Sequence, residues 1–316
     1  MGVRVSVVVS TFNKKEMVAD CIRSILDQTF RDFEIVVSDD GSTDGTPYHV
    51  FREFQAQPKA IEILARQSPG SIRPFSHIFT SQGIPIQYHY CQSRGLSTAR
   101  NRGIKAARGE YIAFLEAEDL WDERHLATQM AFIEANPATR VCYVTHKYVG
   151  EDRKRRLPDP ETPDGWIFRA ALERSPMCTS GVLVHRSCFA ECGTFDENLP
   201  ACEDYDMWVR LSAHYQIRFV EGVTVARRAM RRDGSPRAWS WDRFRVYALE
   251  KAFQSGRLTI GQRLLVAEEI VRKCERLVEG FRRQKSEERS NFYERKRRRF
   301  AQEVRKLRAS VPAAAH

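Results

Sequence analysis

Three carboxylates follow an apolar segment near the middle of the chain. Residues 109–121 have the sequence GEYIAFLEAEDLW, in which five apolar residues precede Glu116, Glu118 and Asp119. The apolar residues are typical of a buried strand. Carboxylates crowded at the end of such a strand repel one another and resist the loss of water. We therefore expect something cationic to compensate them.

Two earlier polar clusters also come directly after apolar segments: Ser10-Thr11-Phe12 after residues 4–9, and Asp39-Asp40 after FEIVV at residues 33–37. In a parallel sheet the carboxyl ends of the strands lie at one edge, so all three clusters should share one crevice. Acidic groups there suit Mg²⁺ or Mn²⁺, which prefer oxygen ligands. They also suit hydrogen bonds to ribose hydroxyls or to a base N–H.

The elements that must position these residues alternate between strand and helix. Apolar spacing predicts helices over 15–27, from about Pro47, near 96–107 and from about 122 to 135. Strands are predicted at 4–9, 33–37, 86–90, 111–115 and 141–149. This order predicts an α/β fold with a doubly wound, mostly parallel sheet flanked by helices.

Breaks in this order suggest the domain organisation. Residues 68–85 carry several Pro and Gly and are interpreted as a surface insertion, and residues 150–165 as a loop. From about Leu258 apolar residues recur every three or four positions, which indicates a helical stripe. We expect a main domain over 1–240 and a basic helical C-terminal extension over 241–316.

The net charge of +10 belongs to the extension. Residues 241–316 contain 20 Lys and Arg against 10 Asp and Glu, whereas residues 1–240 contain 31 of each. The basic balance therefore carries no information about the substrate of the main domain. The basic run Arg295–Arg299 suggests an anionic membrane surface as a partner. Nucleic acid is not expected, because no aromatic stacking platform accompanies the charge.

The cysteines and the hydropathy indicate a cytoplasmic protein. The eight Cys are scattered without the paired spacing of zinc sites, so we expect them to be reduced and buried. No segment approaches the roughly 20 apolar residues of a membrane span, and the first ten residues are too short a run for a signal peptide. A peripheral position at the inner face of the membrane would follow if the extension binds lipid.

Three longer segments resemble family-2 glycosyltransferases of GT-A fold. They are SVVVSTFNKKEMVADCIRSILDQTFRDFEIVVSDDGSTDGT, GLSTARNRGIKAARGEYIAFLEAED and GTFDENLPACEDYDMWVRL, and the resemblance covers about residues 3–235. It implies a nucleotide-sugar donor, inversion at the anomeric carbon, a divalent metal and an Asp general base.

The resemblance also implies roles for single residues. Asp39 would accept the base N–H, the contact expected for uracil, and Glu116 would bind the ribose. Glu118, with Asp119 beside it, takes the position of the metal-binding residue, and Asp204 in CEDYDMW is the implied base, with Glu203 as the neighbouring alternative. The rest of the nucleotide pocket would be formed by Ser10, Thr11, Phe12 (near the base) and Arg100 (near the nucleotide or its diphosphate).

Both metal signatures of the family are altered in this chain. The family has Asp-x-Asp-Asp where this chain has Glu116-Ala117-Glu118-Asp119, and Arg232 stands where a His ligand is expected. Glu moves the carboxylate by about 1 Å, a shift on a scale that matters for catalysis, and Arg cannot bind a cation. We therefore expect Glu118 to face the donor diphosphate and any Mn²⁺ or Mg²⁺ to be held weakly. Fixed positive charge for the diphosphate could instead come from Arg227, Arg228, Arg231 and Arg232.

Three functions remain open. The first is an inverting transfer of sugar from a UDP-sugar to a hydroxyl of a glycan or glycolipid. The second is a catalytically silent scaffold that binds nucleotide-sugar in glycan assembly. The third, nucleotidyl transfer, lacks a glycine-rich phosphate loop of the expected kind. Residues 178–181, CTSG, lie where the family's acceptor side forms, or they are an ordinary turn. The apolar stripe should pack on the main domain or on another copy of the chain.

Overall fold

The computed structural model describes residues 3–56, 58–66, 72–92, 94–149, 162–228 and 238–310. The chain divides into two compact units, and each is described on its own. The first unit consists of Met1–Gly165, Pro176–Glu197 and Gln216–Met230. The second unit consists of Trp166–Ser175, Asn198–Tyr215 and Arg231–His316.

The first unit is built on one nine-stranded sheet. Its strands are β1 (Val5–Thr11), β2 (Phe33–Asp39), β3 (Phe75–Ser81), β4 (Ile84–Tyr90), β5 (Tyr111–Glu116), β6 (Asp119–Trp121), β7 (Val141–Val149), β8 (Val182–His185) and β9 (Ile217–Arg228). The spatial order is β3-β4-β2-β1-β5-β8-β7-β9-β6. The neighbours β4, β2, β1 and β5 run parallel, whereas β3, β6 and β8 pair antiparallel with their neighbours.

Helices flank this sheet, as the strand–helix alternation predicts. They are α1 (Lys15–Leu26), α2 (Thr46–Glu53), α3 (Pro58–Ala65), α4 (Leu96–Ala106), α5 (His125–Ala135) and α7 (Ser187–Cys192). The strands β1 and β2 are buried along their whole length, and β5 is buried up to Leu115, because helices cover both faces of a parallel sheet. The α/β fold prediction is confirmed, and most predicted elements lie within a few residues of the observed ones.

Part of the predicted surface insertion over 68–85 is an edge strand. Residues 75–81 form β3, and Phe75, His77 and Phe79 lie 5.9, 5.3 and 5.4 Å from Phe51, measured between ring centroids. The turn to β4 is Gln82-Gly83, with φ of 50° and 77°, the left-handed pair that a two-residue hairpin favours. Residues 67–71 lie outside the described residues.

Helix α4 packs closely on β1. A Cβ added at Gly103 would lie 2.3 Å from Val8 Cγ1, so only a residue without a side chain allows this approach. Close packing on the central strand fixes the position of α4, and with it the position of Arg100 relative to the sheet.

The second unit is helical. It contains α6 (Phe168–Glu173), α8 (Glu203–His214), α9 (Asp242–Gln254), α10 (Ile260–Arg283) and α11 (Glu287–Ser310). Thr259 and Gln262 form a capping box at the start of α10. The apolar stripe of α10 is buried in one core with residues of α6, α8, α9 and α11. The expected helical extension is therefore present, and its stripe packs on helices that precede residue 240. The domain boundary at residue 240 stays a prediction.

All eight cysteines are free thiols, and only Cys91 is not buried. Among the described helices, none combines the length and the hydropathy that a membrane-spanning segment requires.

Candidate active site

The strand register brings the predicted nucleotide residues of the first unit together. Ser10 pairs with Glu116 of β5 on one side, and Thr11 pairs with Asp39 of β2 on the other. Neighbouring strands lie about 4.8 Å apart, so these residues share the carboxyl edge of the parallel strands. Phe12 follows β1 directly and is 47% exposed, which leaves its ring open to a ligand.

Asp39 stabilises the turn that follows β2. Its side chain is fully buried, its Oδ1 accepts a hydrogen bond from the Ser42 N–H at 2.8 Å, and its Oδ2 accepts one from the Tyr88 hydroxyl. Burial raises the pKa of the Asp39 carboxyl, and these hydrogen bonds lower it in part. The predicted contact of Asp39 with a base stays a prediction.

Asp40 ties the end of β2 to the start of α4. Its two carboxylate oxygens accept hydrogen bonds from the backbone N–H groups of Arg94 and Gly95, at 3.0 and 2.9 Å. The two adjacent aspartates therefore differ in task, since Asp39 shapes its own turn and Asp40 fixes the neighbouring loop.

Arg100 pairs with Glu116, the residue predicted to bind ribose. Arg100 is 1% exposed, and its Nη2 lies 2.8 Å from Glu116 Oε1, while the Glu116 side chain is 23% exposed. The guanidinium also lies over the Phe195 ring, 5.2 Å from its centroid. Arg100 therefore orients the more accessible Glu116, and its own predicted contact with the nucleotide or its diphosphate stays a prediction.

The Ser180 hydroxyl links Glu116 and Asp119. This fully buried residue accepts a hydrogen bond from the Glu116 N–H at 3.1 Å and donates one to Asp119 Oδ2 at 2.6 Å. Its carbonyl accepts a hydrogen bond from Trp121 Nε1 at 2.7 Å. Sequence reasoning noticed the small polar segment at 178–181 but not this support, because nothing in the sequence pairs residue 180 with residue 116.

Basic side chains compensate the three carboxylates. Arg227 Nη2 lies 3.5 Å from Glu116 Oε2, and Arg227 Nε lies 3.6 Å from Asp119 Oδ2. Lys14 Nζ lies 3.7 Å from Glu118 Oε2. The antiparallel pairing of β6 with β9 places Asp119 opposite Arg227, so the strand register itself creates one of these pairs.

Burial and charge shape the pKa values in this cluster. Burial raises the pKa of Asp119 to about 6, while the Ser180 hydrogen bond and Arg227 lower it and Glu116 raises it further. For Arg227, burial acts to lower the pKa, but Cys178, Glu116 and Asp119 together raise it. Arg227 is therefore a permanent cation beside carboxylates.

The described carboxylates do not by themselves form a Mn²⁺ or Mg²⁺ site. Such ions need several oxygens at about 2.1 Å, and within the described ranges no three His, Cys, Asp or Glu residues are grouped to hold a metal. Asp119 Oδ1 is buried without a hydrogen-bond partner among the described residues, but one oxygen is not a ligand set. Arg231 and Arg232, predicted near the diphosphate, lie outside the described residues.

Glu203 and Asp204 belong to the second unit. They begin α8, where acidic residues are favoured by the helix dipole, and Asp204 Oδ1 accepts a hydrogen bond from the Tyr205 N–H at 2.7 Å. The Tyr205 hydroxyl donates to the Leu172 carbonyl at 2.7 Å, which ties α8 to α6. The predicted role of Asp204 as a base stays a prediction.

Solved glycosyltransferase structures share this fold. Staphylococcus aureus TarS 1–349 in complex with UDP-GlcNAc gives a TM-score of 0.56 at 15% identity over 94% of this chain and 92% of that chain. The mannosyltransferase PcManGT from Pyrobaculum calidifontis, in complex with GDP-Man and Mn²⁺, gives 0.55 at 18% identity over 84% and 74%. These likenesses confirm the predicted GT-A fold.

Proteins that are similar to this chain in sequence are also named as glycosyltransferases. The Escherichia coli UDP-Glc:alpha-D-GlcNAc-diphosphoundecaprenol beta-1,3-glucosyltransferase WfaP is 29% identical over 66% of this chain and 69% of its own length. An uncharacterized glycosyltransferase of Rickettsia bellii is 27% identical over 66% of this chain. The chain spans only 26 to 31% of the length of that protein and two further Rickettsia relatives. The model of the family described as Glycosyl transferase family 2 matches residues 6–190. The chain belongs to glycosyl transferase family 2.

Proposed function

We propose that this chain transfers a sugar, with inversion, from a UDP-sugar to a hydroxyl group of a glycan or glycolipid. The observation that carries the proposal is the register that brings Ser10, Thr11, Asp39 and Glu116 to one edge of the sheet. Ligands of open α/β sheets bind outside the carboxyl ends of the strands. Phe12 offers an exposed ring for the base, and Glu116 offers a partly exposed carboxylate for hydroxyl groups. The contact of the base N–H with Asp39, which is buried here, is part of the proposal.

The proposed reaction is a single displacement. The acceptor oxygen forms a bond to the anomeric carbon while the bond from that carbon to the diphosphate oxygen breaks, and UDP leaves with the electron pair. The hydroxyl proton passes to the Asp204 carboxylate, which acts as general base. Attack opposite the leaving group inverts the configuration. Arg231 and Arg232 are proposed to stabilise the charge on UDP.

The comparisons support the choice of donor and acceptor. TarS was solved with UDP-GlcNAc, and the name of WfaP states a UDP-glucose donor and a diphosphoundecaprenol-linked acceptor. A lipid-linked acceptor would bring the protein to the cytoplasmic face of a membrane. Because PcManGT was solved with Mn²⁺, metal dependence must be tested directly. Glu118 and Asp119 are the residues to test for it.

A silent nucleotide-sugar-binding scaffold is the second candidate. The observation that favours it is the engagement of Glu116 by both Arg100 and Arg227, which occupies a carboxylate proposed for the ligand. The scaffold would bind the donor without turning it over.

A donor panel tests the proposal. The full chain would be incubated with UDP-, GDP- and TDP-sugars, with and without Mn²⁺, while binding and release of nucleoside diphosphate are measured. Binding and slow hydrolysis confined to UDP-sugars is the expected result. Binding without release in the presence of acceptors would favour the scaffold, and no binding of any nucleotide-sugar would contradict both.

A further inference from the structure

We propose that Arg227 is the resident cation of the acidic site and binds the donor diphosphate directly, in place of a divalent metal. The identity of the ligand rests on the proposed function. The position of Arg227 rests on the structure alone, because β9 places it opposite Asp119 across the β6–β9 pair.

The Arg227 guanidinium is placed by ion pairs and not by hydrogen bonds. Arg227 lies 3.5 Å from Glu116 and 3.6 Å from Asp119, distances of ion pairs. It also lies over the Tyr148 ring, 5.7 Å from the centroid. Among the described residues its guanidinium makes these two ion pairs and no hydrogen bond of ordinary geometry. Its N–H donors are therefore not satisfied by hydrogen bonds to the described residues, and those on the exposed side can serve a ligand.

The neighbouring cations are engaged differently. Arg228 donates hydrogen bonds to Glu118 O, Asp20 and Met17 O, at 2.8, 2.9 and 3.0 Å. Arg100 is almost fully buried, whereas the Arg227 side chain is 32% exposed. Arg227 thus combines a site among the strand ends, partial exposure and unused donors.

The charges explain why a metal would be excluded. Glu116, Glu118 and Asp119 are faced by three cations, Arg100, Lys14 and Arg227, in the pairs given above. A divalent ion between these carboxylates would have to enter beside a guanidinium, and like charges at such short range repel strongly. A planar guanidinium instead matches phosphate oxygens with two parallel N–H donors.

Calorimetric binding of UDP, with EDTA or with Mn²⁺, tests this inference without relying on turnover. The wild type should bind UDP with the same affinity, within about twofold, in both conditions, and Mn²⁺ alone should show no saturable binding below millimolar concentration. Arg227→Met should weaken UDP binding by about tenfold or more. Arg227→Lys keeps the charge but loses the planar guanidinium, so its affinity for UDP should lie between those of the wild type and Arg227→Met.

Arg218→Met is the matched control. Arg218 lies on the same strand, its side chain is equally exposed at 32%, and it pairs with Asp164. This variant should bind UDP like the wild type, and thermal unfolding should show all variants folded. UDP binding that requires Mn²⁺, micromolar Mn²⁺ affinity, or normal UDP binding by Arg227→Met would overturn the inference. No UDP binding by the wild type in either condition would instead refute the proposed function.

Discussion

The buried guanidinium of Arg100 pairs with the partly exposed carboxylate of Glu116, with 2.8 Å between Arg100 Nη2 and Glu116 Oε1. The longer side chain of Glu has a structural use here, because it lets one carboxylate face Arg100 with Oε1 and Arg227 with Oε2. Asp at this position would draw the carboxylate back by about 1 Å.

Glu116→Gln should destabilise the protein by about 2 kcal/mol, because the buried charge of Arg100 would lose the opposite charge of Glu116. The value is set below that of a fully buried pair because Glu116 is partly exposed. Urea unfolding measures the loss. Glu53→Gln is the control, since it breaks an exposed pair with Arg23 and should cost less than about 1 kcal/mol. Equal losses in the two variants would contradict the expectation.

Ser180→Ala should cost about 1 to 3 kcal/mol of stability. The change leaves the Glu116 N–H and Asp119 Oδ2 without the hydroxyl between them, in a buried place where water cannot replace it. Ser212→Ala is the control, because within the described part of the chain the equally buried Ser212 hydroxyl donates only to the Val209 carbonyl of its own helix. Urea midpoints that shift alike would refute the support role of Ser180.

The carboxyl ends of the parallel strands could be predicted from the sequence, whereas the cations around them could not. The apolar segments that precede Thr11, Asp39 and Glu116 are local patterns, and parallel pairing then brings their ends together. Arg227 was singled out only as one of four arginines near the diphosphate. Its place opposite Asp119 depends on β6, a three-residue strand too short for any periodic pattern.

The edge strand β3 was missed for a different reason. The Pro and Gly of residues 68–85 predict a surface insertion. In the structure Phe75, His77 and Phe79 occupy alternate positions of β3 and are less exposed than the residues between them, and Gln82-Gly83 is a two-residue hairpin turn. Gly is also the residue that tight turns between paired strands require. Similarly, the helix predicted from about residue 122 begins at His125 because residues 119–121 are taken by β6.

Gly103→Ala should destabilise the protein by about 1 to 3 kcal/mol, because the new methyl group would overlap Val8 in a packed core. Gly261→Ala, at a helical glycine with open space around it, should instead be neutral or stabilise by up to about 1 kcal/mol. In the double variant Val8→Ala with Gly103→Ala, the loss of stability should be smaller than the sum of the losses in the two single variants. Thermal unfolding that shows additive losses would place the strain elsewhere.

Asp204→Asn should lower turnover by about 100-fold or more, the usual scale for loss of a general base, while donor binding stays near the wild-type value. Steady-state transfer and calorimetric binding of the donor separate the two effects. Glu203→Gln is the paired variant, since both residues begin α8. If the larger loss falls on Glu203→Gln, the base is Glu203; unimpaired transfer by both variants would remove this turn from the mechanism.

The basic run of α11 is partly neutralised within the second unit. Arg297 and Arg298 pair with Glu294, and Lys296 pairs with Glu250. The remaining cations, Arg295 and Arg299, are exposed and have no ion pair among the described residues. Any attraction to an anionic membrane through the run Arg295–Arg299 should therefore depend chiefly on those two residues.

The double variant Arg295→Gln with Arg299→Gln should lower the affinity for vesicles of anionic phospholipid, measured by cosedimentation at low salt, by about 30-fold, because each Arg near such a surface contributes about 1 kcal/mol. Truncation before α10 would not be a fair test, since that helix fills the core of the second unit. Arg52→Gln with Arg66→Gln removes the same charge from exposed positions of the first unit and should leave cosedimentation unchanged. Vesicle binding that is unchanged in the Arg295→Gln, Arg299→Gln variant, or that falls equally in both double variants, would rule out membrane attraction through α11.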